Sequence, residues 1–167
     1  MSKLKVALLV VDIQNEFFNI SPVCAASLKS AIQYVNEAIS VFRKENLPII
    51  AVQHKSIEDD LVPGKPGFNI PDAVKLESSD LRIVKTYGNS FNKTGLAEKL
   101  KELGVDTVII TGFCAEECVL STYKGAEDVD LKPIILKGAI ASVNPEHMKS
   151  VEEITDTITL GALRALL

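Results

Sequence analysis

The chain is poor in histidine and cysteine, and it holds no long apolar run. Its two histidines, His54 and His147, stand far apart in a chain of 167 residues, whereas zinc sites are built from clustered Cys and His ligands. Three cysteines, an odd number, do not make a disulfide framework. No apolar segment approaches the roughly 18 residues that a membrane helix needs. A net charge of −4, with both signs mixed among 24% charged residues, leaves no basic footprint for nucleic acid. Nothing in that balance favours an anionic membrane surface either. These absences lead us to expect a cytoplasmic protein with no nucleic-acid or membrane partner.

What is present is a large apolar share, 47%, enough for a sizeable core. The length fits a single domain over 1–167, since one core typically serves about 100–200 residues. Four short runs, VALLVV (Val6–Val11), PIIAV (Pro48–Val52), TVIIT (Thr107–Thr111) and PIIL (Pro133–Leu136), are β-branched and nearly continuous. Strands buried on both faces read this way. A weaker run, LRIV (Leu81–Val84), is a candidate fifth. The N-terminal run stops at Asp12 with no small-residue cleavage site behind it, so it reads as a strand and not as a leader.

Between the runs lie stretches of helical spacing. Leu28, Ile32, Val35, Ile39 and Phe42 recur within Ser27–Glu45, and Leu96, Leu100 and Leu103 within Lys93–Leu103, with Gly104 as a stop. Cys118–Glu127 and Pro145–Leu160 complete the set, with Pro145 suited to a first helical turn. Strand–helix alternation of this kind predicts an α/β sandwich around a mostly parallel sheet. Residues 55–80 are the one long irregular stretch, of a length that serves as a lid or an oligomer contact more often than as a linker.

Ligands of such sheets bind beyond the C-terminal strand ends, which directs attention to Asp12, His54, Lys85 and the segment from Gly112 to Cys118. Asp12 follows an apolar run, where a carboxylate is costly without a partner; a strand-end turn residue is the plainer reading. Lys85 taken alone is a solvated charge. Cys118 falls where a helix is expected to begin, a setting that lowers a thiol's pKa and suits covalent catalysis. A small buried hydrophobe is its other reading, and position alone leaves both open. Cys114 and Cys118 are four positions apart in TGFCAEECVLST. Thioredoxin-type chemistry uses two intervening residues, not three, and two cysteines a helical turn apart are poorly aimed for a disulfide. A nucleophile with a bystander fits the pair best.

Taken together, Asp12, Lys85 and Cys118 resemble the catalytic triad of the isochorismatase-like cysteine hydrolases, which include nicotinamidases, N-carbamoylsarcosine amidases and ureide hydrolases. ALLVVDIQNEFF resembles that family's opening strand with its D-x-Q-x-x-F signature. KTYGNSFNKTGLAEKLKELGVDTVIITG resembles the stretch from the catalytic lysine to the strand before the nucleophile. GFCAEECVLSTYKGAEDVDLKPIILKGAIAS resembles the nucleophile segment and the strand that follows. The resemblance implies a three-layer sandwich with a mostly parallel six-stranded sheet and helices on both faces. It also implies a nucleophile at Cys118, a cis peptide at Phe113–Cys114, and an oxyanion hole from the backbone N–H groups of Cys114 and Cys118. Gln14, Phe17 and Phe113 are the implied substrate-binding residues.

Charge chemistry then assigns roles: Lys85 favours the thiolate and Asp12 takes the thiol proton. The implied reaction is C–N hydrolysis of a small amide, carbamoyl or ureide. Alternatives are a non-catalytic binding or scaffold member of the fold, or the vinyl ether cleavage of isochorismatases, which uses no cysteine nucleophile. Metal-dependent nicotinamidases carry an Asp-x-His pair and a further His; here VQHKSIEDD has His54 alone, so no metal and no cofactor are expected, and His54 reads as pocket edge or structure. The apolar tail ITDTITLGALRALL, with Leu163, Leu166 and Leu167, and the loop residues Phe68 and Ile70 lead us to expect a homo-oligomer.

Overall fold

Every residue of Val6–Val11 is buried in β1, and the side chains alternate between two separate cores. Val6, Leu8 and Val10 face one core with Leu28, Ile32, Val35, Ile39 and Phe42, while Ala7, Leu9 and Val11 face the other with Leu96, Leu100, Tyr123 and Ala126. This computed structural model describes residues 5–167. The strands are β1, β2 (Ile49–His54), β3 (Leu81–Lys85), β4 (Thr107–Phe113), β5 (Lys132–Ala141) and β6 (Thr157–Ile158). They form one parallel sheet in the order β3-β2-β1-β4-β5-β6. The helices are α1 (Pro22–Lys44), α2 (Leu96–Glu102), α3 (Leu120–Asp128), α4 (Pro145–Ile154) and α5 (Leu160–Leu166). α1 and Leu163 of α5 join the first core; α2, α3 and Val151 of α4 join the second. The α/β sandwich expected from the periodicity, in the three-layer, six-stranded form that the resemblance implied, is the observed architecture.

Element boundaries moved where local chemistry outweighed apolar spacing. α1 starts at Pro22 and not Ser27, because the Ser21 side chain accepts from the Cys24 N–H and Pro22 takes the first turn. The expected helix Pro145–Leu160 divides into α4, β6 and α5. The break falls in Thr155–Thr159, where β-branched residues are poor helix formers, and Thr157–Ile158 instead extend the sheet beside Ile135–Leu136. Thr159 then caps α5 by accepting from the Ala162 N–H.

The tail and loop also differ from expectation. Leu163 and Phe68, expected as surface to be covered by a partner, are buried in the protein's own core, with Ile70 and Leu167 packed against it. Leu166 stays exposed. Residues 55–80 are mostly irregular, with a short 3-10 turn at Pro66–Phe68. Among the described residues, no helix is long and apolar enough to cross a membrane.

Candidate functional site

Strand order reverses at β1, with β2 on one side and β4 on the other; in open α/β sheets ligands bind at such a point, outside the carboxyl ends of the strands. Four of those ends deliver polar side chains to one place. Asp12 follows β1, His54 ends β2, Lys85 ends β3, and Cys118 follows β4.

Asp12 has a φ of 51°, a left-handed conformation that Asp tolerates better than most residues. Its N–H donates to the Val52 carbonyl at 2.8 Å. Gly112 pairs with Val11 across the strands and has a φ of +119°. A Cβ there would collide with the Val11 carbonyl, so only glycine lets the ends of β1 and β4 approach this closely.

Lys85 ties the cluster together. Its ammonium is 2.8 Å from Asp12 Oδ2 and donates to the Tyr87 carbonyl at 3.0 Å, His54 Nδ1 at 3.1 Å and Cys118 Sγ at 3.3 Å. The contact with Asp12 is a close ion pair, although neither carboxylate oxygen meets hydrogen-bond geometry with a partner among the described residues. At 2.8 Å the attraction is coulombic and needs no alignment. Burial pushes the Asp12 carboxyl above its ordinary range, with Lys85 opposing. Burial and the Lys85 charge hold His54 below its ordinary value. Neutral His54 therefore accepts at Nδ1 and carries its proton on Nε2.

Cys118 is carried by a π-helical turn, Ala115–Val119, that runs into α3. It sits inside the turn and not at its first residue, which is a departure from the expected helix start. Burial, then the Asp12 charge, push the Cys118 thiol up to about 12, and Lys85 offsets this only in part. At neutral pH Cys118 rests as a thiol. Cys114 is likewise pushed up to about 12 by burial and Glu116, and burial raises Cys24.

The peptide Phe113–Cys114 is cis. The Cys114 carbonyl accepts from the Glu117 and Val119 N–H groups, both at 3.1 Å, which winds the turn. The Phe113 and Phe17 rings lie 4.9 Å apart at 34° and pack with the first core, Phe17 coming from a 3-10 turn at Asn15–Asn19. Gln14 does not face a ligand as the resemblance implied. It is fully buried, and its amide donates to the His54 and Phe68 carbonyls and accepts from the His54 N–H. Both of its N–H donors and its oxygen are engaged by backbone groups.

Sequence reasoning missed the support behind the turn. Glu116 Oε1 accepts from Ser142 Oγ at 2.9 Å and pairs with His147 Nδ1 at 2.6 Å, fastening the turn to the end of β5 and the start of α4. No sequence pattern signals contacts between residues so far apart in the chain. A cavity of about 590 Å³ lies elsewhere, between the loop and β3, lined by Gln53, Phe68, Asn69, Asp72 and Arg82. It contains none of the four clustered side chains, and a buried charge pair beside a thiol is the stronger mark of chemistry.

The fold and this cluster define an α/β protein with its site at the switch point of a parallel sheet. The chain belongs to the isochorismatase family of hydrolases: residues 6–160 match the Isochorismatase domain. It is 32% identical over 123 residues to the uncharacterized isochorismatase family protein YddQ of Bacillus subtilis, covering 72% of this chain and 68% of that one. It is 26% identical over 155 residues to Nicotinamidase 3 of Arabidopsis thaliana, covering 84% and 75%. An isochorismatase-like hydrolase structure from Alkaliphilus metalliredigens superposes with a TM-score of 0.87 at 24% identity, covering 97% and 98%. At that identity the structural likeness speaks for the fold alone.

Proposed function

We propose that this protein is a cysteine hydrolase cleaving a C–N bond of a small amide, carbamoyl or ureide through a thioester on Cys118. The observation that carries the reading is the convergence of Asp12, Lys85 and Cys118, with the ammonium 2.8 Å from the carboxylate and 3.3 Å from the sulfur. Because Cys118 rests protonated, Asp12 takes its proton as the sulfur attacks. Burial, which raises the carboxyl, makes it a better base for that step. Lys85 stabilises the transient thiolate. As the S–C bond forms, the carbonyl oxygen gains charge and accepts from the backbone N–H groups of Cys114 and Cys118, each such donor contributing about 3–4 kcal/mol. The C–N bond breaks and Asp12 returns the proton to the leaving ammonia or amine. Water, deprotonated by Asp12, then attacks the thioester carbonyl; the C–S bond breaks, the acid is freed, and Asp12 returns the proton to the Cys118 sulfur.

Phe17 and Phe113 supply an apolar contact for the substrate, and Gln14 acts behind the site by fixing His54. A screen of primary amides, carbamoyl compounds and ureides for ammonia or amine release tests the reading. Turnover with a substrate-sized mass adduct on Cys118 is expected, and Cys118→Ala should be folded and inactive. Turnover that survives in Cys118→Ala would sink the proposal.

A further inference from the structure

The donor atoms of Asp12, His54 and Cys118 all lie within 4.8 Å of one another. A carboxylate oxygen, an imidazole nitrogen and a sulfur make the kind of three-ligand set that binds zinc with a fourth position open. The middle of this set is taken. Lys85 Nζ stands 2.8 Å from Asp12 Oδ2, 3.1 Å from His54 Nδ1 and 3.3 Å from Cys118 Sγ. Zinc would bond to the same atoms at about 2.0–2.3 Å, so an ion and the ammonium exclude each other.

Two further observations separate this from a chance grouping. The Asp12 carboxylate is 1% exposed, and its Oδ1 has no hydrogen-bond partner among the described residues; it is a buried anionic donor with capacity to spare. The lysine side chain is 0% exposed and is anchored by the Tyr87 carbonyl, 3.0 Å away. It cannot swing into water to make room for an ion without opening the core.

We propose that Lys85 is the resident cation of a Cys–His–Asp cage: its ammonium keeps closed a latent site for a thiophilic divalent ion, and removing it opens that site to Zn²⁺ or Co²⁺. Binding would form a metal–sulfur bond as the Cys118 S–H bond breaks, with the proton leaving to solvent. A divalent ion there would tie up the sulfur, so the lysine serves a second purpose beside its charge: it leaves the thiol available to carbon. Metal uptake at this cage does not depend on which substrate the site takes.

The test is a Co²⁺ titration of the wild-type protein, Lys85→Ala and Lys85→Ser, followed by thiolate-to-cobalt charge-transfer absorption and by bound metal after desalting. Each Lys85 variant should take about one equivalent through a thiolate and gain thermal stability with the ion, as ligand linkage requires. Adding Cys118→Ala should abolish the absorption band, and adding His54→Ala should weaken binding at least about tenfold, as loss of a ligand's support commonly does. Wild-type protein should take none at the same cobalt concentration. Folded Lys85 variants that bind no cobalt through sulfur overturn the proposal, as does a wild-type protein that binds one equivalent at Cys118. Should neither variant fold, the wild type decides by mass-mapped alkylation: Cys118 labelling unaffected by zinc supports the exclusion, and protection by zinc overturns it.

Discussion

The ammonium of Lys85 lies 2.8 Å from a carboxylate oxygen of Asp12, and the two side chains are 0% and 1% exposed. Removing one member of a buried pair leaves an uncompensated charge and costs about 3–5 kcal/mol, whereas replacing both with neutral groups is often neutral or stabilising by about 1–4 kcal/mol. Lys85→Met should therefore be clearly less stable than wild type in urea, and Asp12→Asn with Lys85→Met should recover most or all of the loss. The sign of the Asp12 contribution agrees. Its folded-state pKa is raised by burial, so protonation favours the folded state, and that support fades as pH rises through the raised value. Additive losses in the double variant would count against this account of the pair.

Alkylation reports the thiol directly. With Cys118 pushed up to about 12, labelling by iodoacetamide should be slow at pH 7 and rise about tenfold per pH unit, because the thiolate is the nucleophile. The Asp12 charge is the second cause of the upward shift. Asp12→Asn should therefore speed Cys118 labelling at pH 7 while abolishing turnover, and Lys85→Met should slow labelling. Unchanged labelling in Asp12→Asn would mean that the carboxylate does not act on the thiol.

Gly112 should be intolerant of any side chain. Gly112→Ala places a methyl group against the Val11 carbonyl at a φ of +119° and shifts the residue before Asp12. It should cost more than about 1 kcal/mol and reduce turnover beyond what stability alone explains. Gly64 has a φ of +93° with nothing within 4 Å of a Cβ, so Gly64→Ala carries only the left-handed penalty, about 1–2 kcal/mol, and should keep its activity. Equal activity in both variants would break the link between Gly112 and Asp12.

A homo-oligomer remains our expectation for assembly, now resting on different surface. With Leu163 and Phe68 buried internally, the exposed apolar side chains among the described residues include Ile20, Val23, Ile57, Tyr87, Ile154 and Leu166. Light scattering at micromolar concentration should give at least a dimer mass; a monomer would refute the expectation.

The five longer strands were legible because burial on both faces writes unbroken β-branched runs, as in Val6–Val11 and Thr107–Thr111. β6 was not, since Thr157–Ile158 is too short to carry a period. Asp12, Lys85 and Cys118 could be placed because each stands beside a strand end that the apolar runs already mark. Their protonation could not be read from sequence, since burial decides it and only the packed structure fixes burial. The same limit hid His54 as the acceptor for Lys85 and turned Gln14 from a ligand contact into a backbone clamp.

That clamp reaches further than the site. The Phe68 carbonyl accepts from both Gln14 and Gln53 at 3.0 and 2.9 Å, and the same Gln14 side chain accepts from the His54 N–H at 2.8 Å. Amide protection at His54 thus depends on a side chain shared with the 55–80 loop. In hydrogen exchange the loop near Phe68 and the end of β2 should open together as one cooperative unit, so loosening the loop would unmoor the histidine that braces Lys85.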